Sequence, residues 1–339
     1  MNISTVGFDL AKNVFHVVCF NDRDKEVKKR MLRRNQVLEF FTQLSPCCVA
    51  MEACASAHYW GRQFSDMGHD VKLISPQHVK PYVRGNKNDY NDARAIAEAA
   101  NRPNMPLVGI KTVEDQDMQA LHRIRSQCLR DRTALSNSTR GLLGEYGIVF
   151  AKGIPTLRKK IPELLEDAEN GLSLNFRNLL ARRYEQLVEM DEHIAFYTKR
   201  LESISQEDDA CLRLQTAPGF GSIVSSAFRG AIGDGRAYAR GRDAAASIGL
   251  VPRQYSSGGK NVLLGISKRG DKYLRKQLVH GARSVVLQAA NKEDPLSLWI
   301  NRIREERGWN KAVVAMANKM ARIGWAILRH NTSYQPASR

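Results

Sequence analysis

The 339-residue sequence lacks a run of about 18 uncharged apolar residues, the length that a membrane-spanning helix needs. Its most apolar late stretch, residues 311–328, is interrupted by Asn318, Lys319 and Arg322. The N-terminal sequence MNISTVGFDL also lacks the basic segment, apolar segment and cleavage site of a secretory signal. We therefore expect neither membrane insertion nor export, and we expect a cytoplasmic protein.

Cysteine and histidine are present, but they are not spaced as metal ligands. None of the six cysteines forms a Cys-x-x-Cys pair, and no histidines stand in an HExxH or HxxxH pattern. The phosphate-binding pattern GxxxxGK[ST] is absent too, since Gln254 replaces its first glycine and Asn261 its final hydroxyl residue. These absences exclude the usual zinc sites and a P-loop ATPase. Any metal is expected to be held by carboxylates.

Acidic residues are outnumbered, with 35 Asp and Glu against 52 Lys and Arg, and the formal net charge is +17. Clustered positive charge binds nucleic acid by displacing condensed counterions, so a polyanionic partner is favoured. The alternative is a basic surface that only keeps the protein soluble. The hydrophobic content of 43% is sufficient for buried cores, which excludes a disordered chain.

Residues 1–112 are predicted to form an α/β domain. Apolar segments separated by turn residues indicate a three-strand meander, with strands at 3–9, 14–20 and 26–32. Helices and strands are then predicted to alternate, in this order: helix 36–44, strand 47–52, helix 56–67 and strand 71–75.

Residues 113–206 are predicted to be almost wholly helical and to include a coiled coil. Apolar residues recur at spacings of three and four, which form a heptad seam: Leu187, Met190, Ile194, Tyr197, Leu201 and Ile204. From sequence, this seam fits an intramolecular helical hairpin and a dimer interface equally. Arginines between His122 and Arg140 form either a solvated helix face or a helix that lies along a phosphate backbone.

Residues 207–330 are predicted to form a mostly helical C-terminal domain, followed by a loose tail at 331–339. The sequence PGFG at 218–221 lies between two helical patterns. Glycine lets a backbone approach closely, so Gly219 and Gly221 could direct N–H groups at a phosphate, as in a helix-hairpin-helix element. The alternative is a simple glycine-rich turn between helices.

Four acids stand at positions that suit metal binding. Asp9 ends the first predicted strand and Glu52 ends a later one, while Asp89 and Asp92 lie at the start of an alanine-rich helix. Residues three apart share one helix face, so both carboxylates can reach one ion. Taken singly, the acids fit turn, helix-start and N-cap roles. Taken together, their order is typical of an RNase H-like nuclease core of the Holliday-junction-resolvase type, with Mg²⁺ or Mn²⁺ as the ion.

A glycine turn at residues 255–260, YSSGGK, presents two serines. Basic residues surround it in the sequence: Lys260, Lys268, Arg269, Arg275 and Lys276. These cations would stabilise the developing charge if a serine hydroxyl attacked a phosphodiester. From the residues alone, a loop that hydrogen-bonds phosphates without reacting is the favoured interpretation.

Five motifs together resemble the DEDD transposases of the insertion-sequence family IS110, and the spacing of SSGGK and GISKRGD is similar to its IS1111 subgroup. The motifs are GFDLAKN, MEACASAHYW, NDYNDARAIAEAA, TAPGFG and IGLVPRQYSSGGKNVLLGISKRGDKYLRKQLVHGARS. The resemblance covers nearly the whole chain, from residue 3 to residue 330. It implies an N-terminal RuvC-like domain, a coiled-coil segment and a C-terminal transposase domain.

The resemblance also implies roles for individual residues. Asp9, Glu52, Asp89 and Asp92 match the acidic tetrad that binds Mg²⁺, and Ser257 matches the serine that becomes covalently joined to DNA during strand exchange. A structured noncoding RNA encoded beside the gene is expected to pair with donor and target DNA. The neighbouring Ser256 is chemically equivalent, so the choice of Ser257 comes from the family pattern.

Because the predicted nucleophile and the predicted acids lie in different domains, we expect them to meet across a protomer boundary in a dimer or tetramer. Two rival functions come from other classes. One is a hydrolytic nuclease in which water replaces Ser257, and the other is a nucleic-acid-binding protein whose acids are structural. The net charge fits the second rival equally well, whereas the order of the acids argues against it.

Overall fold

In the computed structural model, which describes residues 2–86 and 88–336, the chain divides into two units, Met1–Glu114 and Asp115–Arg339. The first unit is a mixed α/β unit and the second is mostly helical. None of the helices in the described part of the chain is long and apolar enough to cross a membrane.

A six-stranded sheet in the order β3-β2-β1-β4-β5-β6 organises the first unit. Its strands are β1 (Thr5–Asp9), β2 (Val14–Phe20), β3 (Glu26–Arg33), β4 (Cys48–Glu52), β5 (Asp70–Ile74) and β6 (Leu107–Val108). The antiparallel β1-β2-β3 meander and the parallel pairs β1-β4 and β4-β5 confirm the predicted mixed α/β arrangement, which is consistent with an RNase H-like domain. The two-residue strand β6 was not predicted, because two residues carry no alternating pattern.

Within its described residues this unit also has four α-helices: α1 (Val37–Thr42), α2 (Ala57–Asp66), α3 (Pro76–Val79) and α4 (Asp89–Ala100). One face of the sheet carries an aromatic core in which Phe8 stacks on Phe15 at 5.3 Å between ring centroids and contacts Phe41, Trp60 and Phe64. This buried aromatic cluster fixes the orientation of β1, whose alternate residues face the other side of the sheet.

Helix α4 lies on that other side of β1, where Gly7 allows a very close approach. A Cβ atom at position 7 would stand 1.9 Å from the carbonyl oxygen of Ala93, so no side chain fits there. The alanine-rich face of α4 supplies small buried side chains at the same contact, among them Ala93 and Ala97. Since side chains alternate along a strand, Asp9 faces the same side as Gly7 and therefore faces α4.

The second unit contains nine helices within its described residues. They are α5 (Val113–Gly144), α6 (Ile154–Glu166), α7 (Leu174–Glu207), α8 (Asp209–Gln215), α9 (Ser222–Ile232), α10 (Gly241–Ser247), α11 (Lys272–Gln288), α12 (Pro295–Arg307) and α13 (Trp309–His330). The predicted mostly helical character is confirmed. A short hairpin of β7 (Pro252–Gln254) and β8 (Leu263–Ile266), which the sequence analysis treated as loop, interrupts the helices.

The predicted heptad seam lies on α7, and its residues Leu187, Ile194 and Leu201 are buried within this single chain. Arg132 of α5 binds Asp191 of α7 beside them. Burial within one chain is the outcome expected of an intramolecular helical hairpin. A coiled coil, and a dimer formed through this segment, stay predictions.

The arginines of α5 differ in their contacts: two are bound to α7, whereas others are exposed. Arg125 donates to Thr198 of α7 at 2.6 Å, and Arg132 is bound to Asp191, whereas Arg123 is exposed. The guanidinium groups of Arg125 and Arg132 therefore join α5 to α7, and contact of this helix with a phosphate backbone stays a prediction.

Residues 331–336 are not as loose as expected. The backbone N–H of Tyr334 donates to the Thr216 hydroxyl at 2.8 Å, and the Tyr334 ring packs against the core of the second unit. The rest of the predicted tail, 337–339, lies outside the described residues.

Candidate functional site

Two of the predicted acids end neighbouring parallel strands of the sheet. Asp9 is the last residue of β1 and Glu52 is the last residue of β4. Because β1 and β4 run parallel, their carboxyl ends lie at the same edge of the sheet, which brings the two strand-ending acids to one edge.

The other two acids lie in the first turn of α4, which Asn88 caps by accepting a hydrogen bond from the backbone N–H of Tyr90. The carboxylates of Asp9, Asp89 and Asp92 all lie within 4.8 Å of one another. This is the carboxylate cluster. Glu52 falls outside that mutual distance among the described residues, but its charge still raises the pKa of Asp9.

Burial and like charge dominate the electrostatics of the carboxylate cluster. Burial, followed by the charges of Asp92, Asp89 and Glu52, raises the pKa of Asp9 from 3.8 to about 7. Burial and the charge of Asp92 also raise the pKa of Glu52. Carboxylates held this close repel each other unless a proton or a cation is present.

The donor set fits a hard divalent cation. Every candidate ligand is a carboxylate oxygen, the donor that Mg²⁺ and Mn²⁺ prefer. Burial and then the neighbouring carboxylates raise the pKa of Asp9, and a bound cation would offset the repulsion among these carboxylates. Asp9, Asp89 and Asp92 are the residues placed to share one ion, with Glu52 beside them.

Two contacts that the sequence analysis did not single out shape this site. Gly7 has no side chain, so α4 packs directly against β1. His16 pairs with Asp9 across the β1-β2 ladder. The His16 Nδ1 atom lies 3.4 Å from the Asp89 carboxylate. The ring of Tyr90 packs edge-on against His16 at 4.7 Å. The sequence could have indicated the role of Gly7, because this glycine stands two residues before a strand-ending acid. It could not have indicated the His16 contact, because that contact depends on how β1 and β2 are aligned.

The predicted serine nucleophile lies in the β7-β8 hairpin. Ser257-Gly258-Gly259-Lys260 forms its tip, with a hydrogen bond from the Lys260 N–H to the Ser257 carbonyl at 3.1 Å. Gly258 and Gly259 have φ of 55° and 79°, the backbone conformation that a tight hairpin turn of two glycines requires. The hairpin is exposed along its length, with Tyr255 76% and Leu263 66% exposed.

The two adjacent serines have different surroundings. The Ser256 hydroxyl accepts hydrogen bonds from the Val262 N–H at 3.2 Å and from the Gln254 side chain at 3.1 Å, so it helps to hold the two strands together. Within residues 2–86 and 88–336, the Ser257 hydroxyl has no hydrogen-bond partner. Of the two, Ser257 has the hydroxyl that is available to a ligand.

The predicted phosphate-binding cations fall into two groups. Lys260, Lys268 and Arg269 are exposed. Arg275 instead donates to the carbonyl oxygens of Ile248 at 2.7 Å and Arg269 at 3.1 Å, and it thereby positions the loop that precedes α11. A contact of Arg275 with nucleic acid stays a prediction, and its structural role is additional.

The glycines of the PGFG turn also differ. Gly219 has φ of 85° and packs against α11 and α13, where an added Cβ would lie 2.7 Å from Met320 and 3.0 Å from Val285. Gly221 is exposed at the start of α9 and has open space around it. Close helix packing therefore explains Gly219, and a helix-hairpin-helix contact with phosphate stays a prediction for both glycines.

Comparison with known proteins agrees with the fold of the first unit. A family model for DEDD transposases of the IS110 type matches residues 6–148, and a model described as "Transposase IS116/IS110/IS902 family" matches residues 211–295. The class is thus that of the DEDD transposases, DNA-acting enzymes whose nuclease fold implies the use of a divalent metal.

Curated relatives cover the chain from end to end. A "Probable family 20 transposase" of Pseudomonas aeruginosa is 45% identical over 99% of this chain and 100% of its own length. The "Transposase for insertion sequence element IS1111A" of Coxiella burnetii is 44% identical over 98% of this chain and 92% of its own. The corresponding protein of element IS1328 from Yersinia enterocolitica is 40% identical over 98% and 99%. This chain belongs to the IS110 family of insertion-sequence transposases.

Proposed function

We propose that this transposase cuts and rejoins DNA strands through a covalent phosphoserine at Ser257, assisted by Mg²⁺ held by Asp9, Glu52, Asp89 and Asp92. Mn²⁺ is the alternative ion. The observation that carries the proposal is the convergence of three carboxylates from β1 and α4 at the end of the sheet. The available hydroxyl of Ser257 supports the second half of the proposal.

The acids and the cation have separable tasks. When bound, the cation supplies Lewis-acid polarisation of a phosphoryl oxygen and neutralises the charge that develops there. The protein fixes the geometry, because Asp9 is held by the buried β1 strand and the other two acids by the capped first turn of α4. Ligands on rigid elements need little rearrangement when a substrate arrives.

The serine step conserves the phosphodiester bond energy. The Ser257 oxygen forms a bond to phosphorus as the bond to the 3′ oxygen breaks, and the hydroxyl proton ends on the released 3′ oxygen. Attack by a partner strand's 3′ hydroxyl reverses this step and frees Ser257. No nucleotide hydrolysis is needed, which agrees with the missing GxxxxGK[ST] pattern.

The domain arrangement that we propose has a RuvC-like catalytic domain at 1–112, a coiled-coil segment at 113–206 and a transposase domain at 207–330. The acids and Ser257 belong to different units of the chain. We infer that they meet across a protomer boundary in a homo-oligomer, a dimer or tetramer, and that assembly thereby controls cutting.

The partners in this proposal are the donor and target DNA and an element-encoded guide RNA. The net charge of +17 and the exposed Lys260, Lys268 and Arg269 near the hairpin support binding of polyanions. Guidance by RNA is an inference from the family resemblance. The experiment below tests it by comparing reactions with and without the RNA.

The experiment combines purified protein, Mg²⁺ and supercoiled DNA that carries the element ends and target, with and without RNA transcribed from the flanking noncoding region. A protein–DNA adduct that survives denaturation is measured for the wild type, Ser257→Ala and Ser256→Ala. We expect Ser257→Ala to abolish the adduct. Ser256→Ala should weaken the hairpin and reduce the yield without abolishing it.

Each other outcome identifies a different function. Cleavage without an adduct, unaffected by Ser257→Ala, would establish a hydrolytic nuclease of the junction-resolvase type. Binding without any Mg²⁺-dependent cleavage would indicate a non-enzymatic binding protein. Adduct formation without the transcript would remove the guide RNA from the proposal.

A further inference from the structure

A cationic groove of about 710 Å³ lies between α10, α12 and α13 in the second unit, away from the β7-β8 hairpin in sequence. Its charged and aromatic walls are formed by Arg240, Arg242, Trp299, Lys319, Arg322 and Trp325. We call this set the α13 groove. None of these residues was among the predicted nucleic-acid contacts.

The α13 groove concentrates positive charge that is only partly compensated by acids. Four of its lining residues are cations and none is an acid. Arg240 has an ion pair with Asp243, at 3.7 Å. Among the residues that the structure describes, no carboxylate lies within ion-pair distance of Arg242, Lys319 or Arg322. Like charges held together by a fold repel one another, so this surface favours an anionic ligand.

Close contacts between backbone segments and partly buried side chains hold the helices of the groove together. A Cβ at Gly241 would lie 3.2 Å from the Arg322 carbonyl oxygen, so the start of α10 rests directly on α13. Asn318 donates to the Leu250 carbonyl at 3.2 Å, and the Trp325 indole N–H donates to the Gly235 carbonyl at 3.0 Å. These contacts hold the start of α10 and the helix α13, which carry the four cations, in fixed positions.

Two tryptophan side chains, Trp299 and Trp325, line the groove together with the cations. Lys319 lies one helical turn before Arg322, and its ammonium group sits 4.4 Å from the centroid of the Trp299 ring. Trp325 forms another part of the wall, and its ring is 3.1 Å from where a Gly241 Cβ would stand. A basic groove interleaved with aromatic rings is the arrangement that binds nucleic-acid strands, by neutralising phosphates and packing against bases or sugars.

We propose that the α13 groove binds the phosphodiester backbone of a nucleic-acid strand and is an anchoring site separate from the carboxylate cluster and from Ser257. A single small anion would not need four cations spread over two helices, whereas a strand presents successive phosphates. RNA and DNA share this chemistry, so the experiment tests them separately. The site does not depend on the phosphoserine mechanism.

The test measures equilibrium binding of the full chain to single-stranded RNA, single-stranded DNA and duplex DNA of matched sequence, over a range of salt concentrations. The groove variant is Arg242→Gln with Lys319→Gln. The control is Arg182→Gln with Lys199→Gln on α7, which removes the same charge at two exposed positions. A second groove variant, Arg240→Gln with Arg322→Gln, alters only exposed side chains and guards against misfolding of the first.

We expect both groove variants to bind at least one of the strands about tenfold more weakly. The slope of log K against log salt should fall by about 1.4 for a single strand or about 1.8 for a duplex, since each lost phosphate contact contributes about 0.7 or 0.9. The strand affected identifies the ligand. Equal losses in groove and control variants, or an unchanged slope in both folded groove variants, would overturn the proposal.

Discussion

The carboxylate cluster and the β7-β8 hairpin are built in opposite ways. The cluster stands on a buried strand and a closely packed helix, and it concentrates charge at a fixed place. The hairpin is exposed, and its tip is defined by two glycines with positive φ and by the Ser256 hydroxyl. One site is held in place by packing within the first unit, whereas the other is exposed at the tip of a hairpin.

The largest effect should come from Asp9→Asn. This change removes one ligand of the carboxylate cluster, and metal-dependent cleavage should fall by about a thousandfold, because Lewis-acid stabilisation is worth several kcal/mol. Nucleic-acid affinity should change little, since it depends on basic residues. Cleavage and binding assays on one preparation check this. Parallel loss of both would mean that Asp9 is structural.

Gly7→Ala should damage the same site by moving a helix. The added Cβ would lie 1.9 Å from the Ala93 carbonyl oxygen, so α4 must move away from β1 and carry Asp89 and Asp92 with it. We expect a loss of about 1–3 kcal/mol of stability and a large loss of cleavage. Thermal unfolding and cleavage report both. Gly141→Ala, at an open helix position, is the control and should not destabilise the protein.

Gly259→Ala should impair the β7-β8 hairpin without affecting the carboxylate cluster. Alanine is disfavoured by about 1 kcal/mol at the φ of 79° that this turn requires. We expect several-fold slower adduct formation with an unchanged melting temperature, because the exposed hairpin contributes little to either core. Gly265→Ala in β8 has open space and no positive φ, and it should leave adduct formation unchanged. A marked drop in melting temperature for Gly259→Ala would contradict this comparison.

His16→Gln should have a smaller effect on the cluster. His16 contacts Asp89 at 3.4 Å and orients it, and loss of such a supporting contact typically weakens metal binding or activity about tenfold. The Mg²⁺ concentration for half-maximal cleavage should rise, and excess Mg²⁺ should restore most of the rate. His193→Gln on the exposed face of α7 serves as control. A rate that excess Mg²⁺ cannot restore would assign His16 a direct role in catalysis.

A further expected effect is a pH dependence of stability. The pKa of Asp9 is raised from 3.8 to about 7, so the folded state binds the proton more tightly than the unfolded state. Without divalent metal, stability should therefore fall as pH rises from about 4 to 7 and stay lower above that range. Thermal unfolding in chelator should show this slope, and Asp9→Asn should reduce it. Mg²⁺ should stabilise the wild type more at pH 8 than at pH 5.

Local patterns in the sequence were sufficient for the first five strands, for most helices and for the order of the acids, but not for β6 or the β7-β8 hairpin. Short apolar segments bounded by turn residues predicted β1 to β5, and they placed Asp9 and Glu52 at the ends of two of these strands. The capped, alanine-rich start of α4 placed Asp89 and Asp92 together. These features depend on residues a few positions apart, and the net charge needs no structure at all.

Only the tertiary structure decided which groups meet and which are available. Gly7 and Ala93 are far apart in sequence, and their contact brings α4 to Asp9. Arg125 and Arg275 form hydrogen bonds within the second unit, whereas Ser257 and the groove residues Arg242 and Arg322 are exposed. Hydrogen bonds and close backbone contacts between distant segments made these choices, and no local pattern records them.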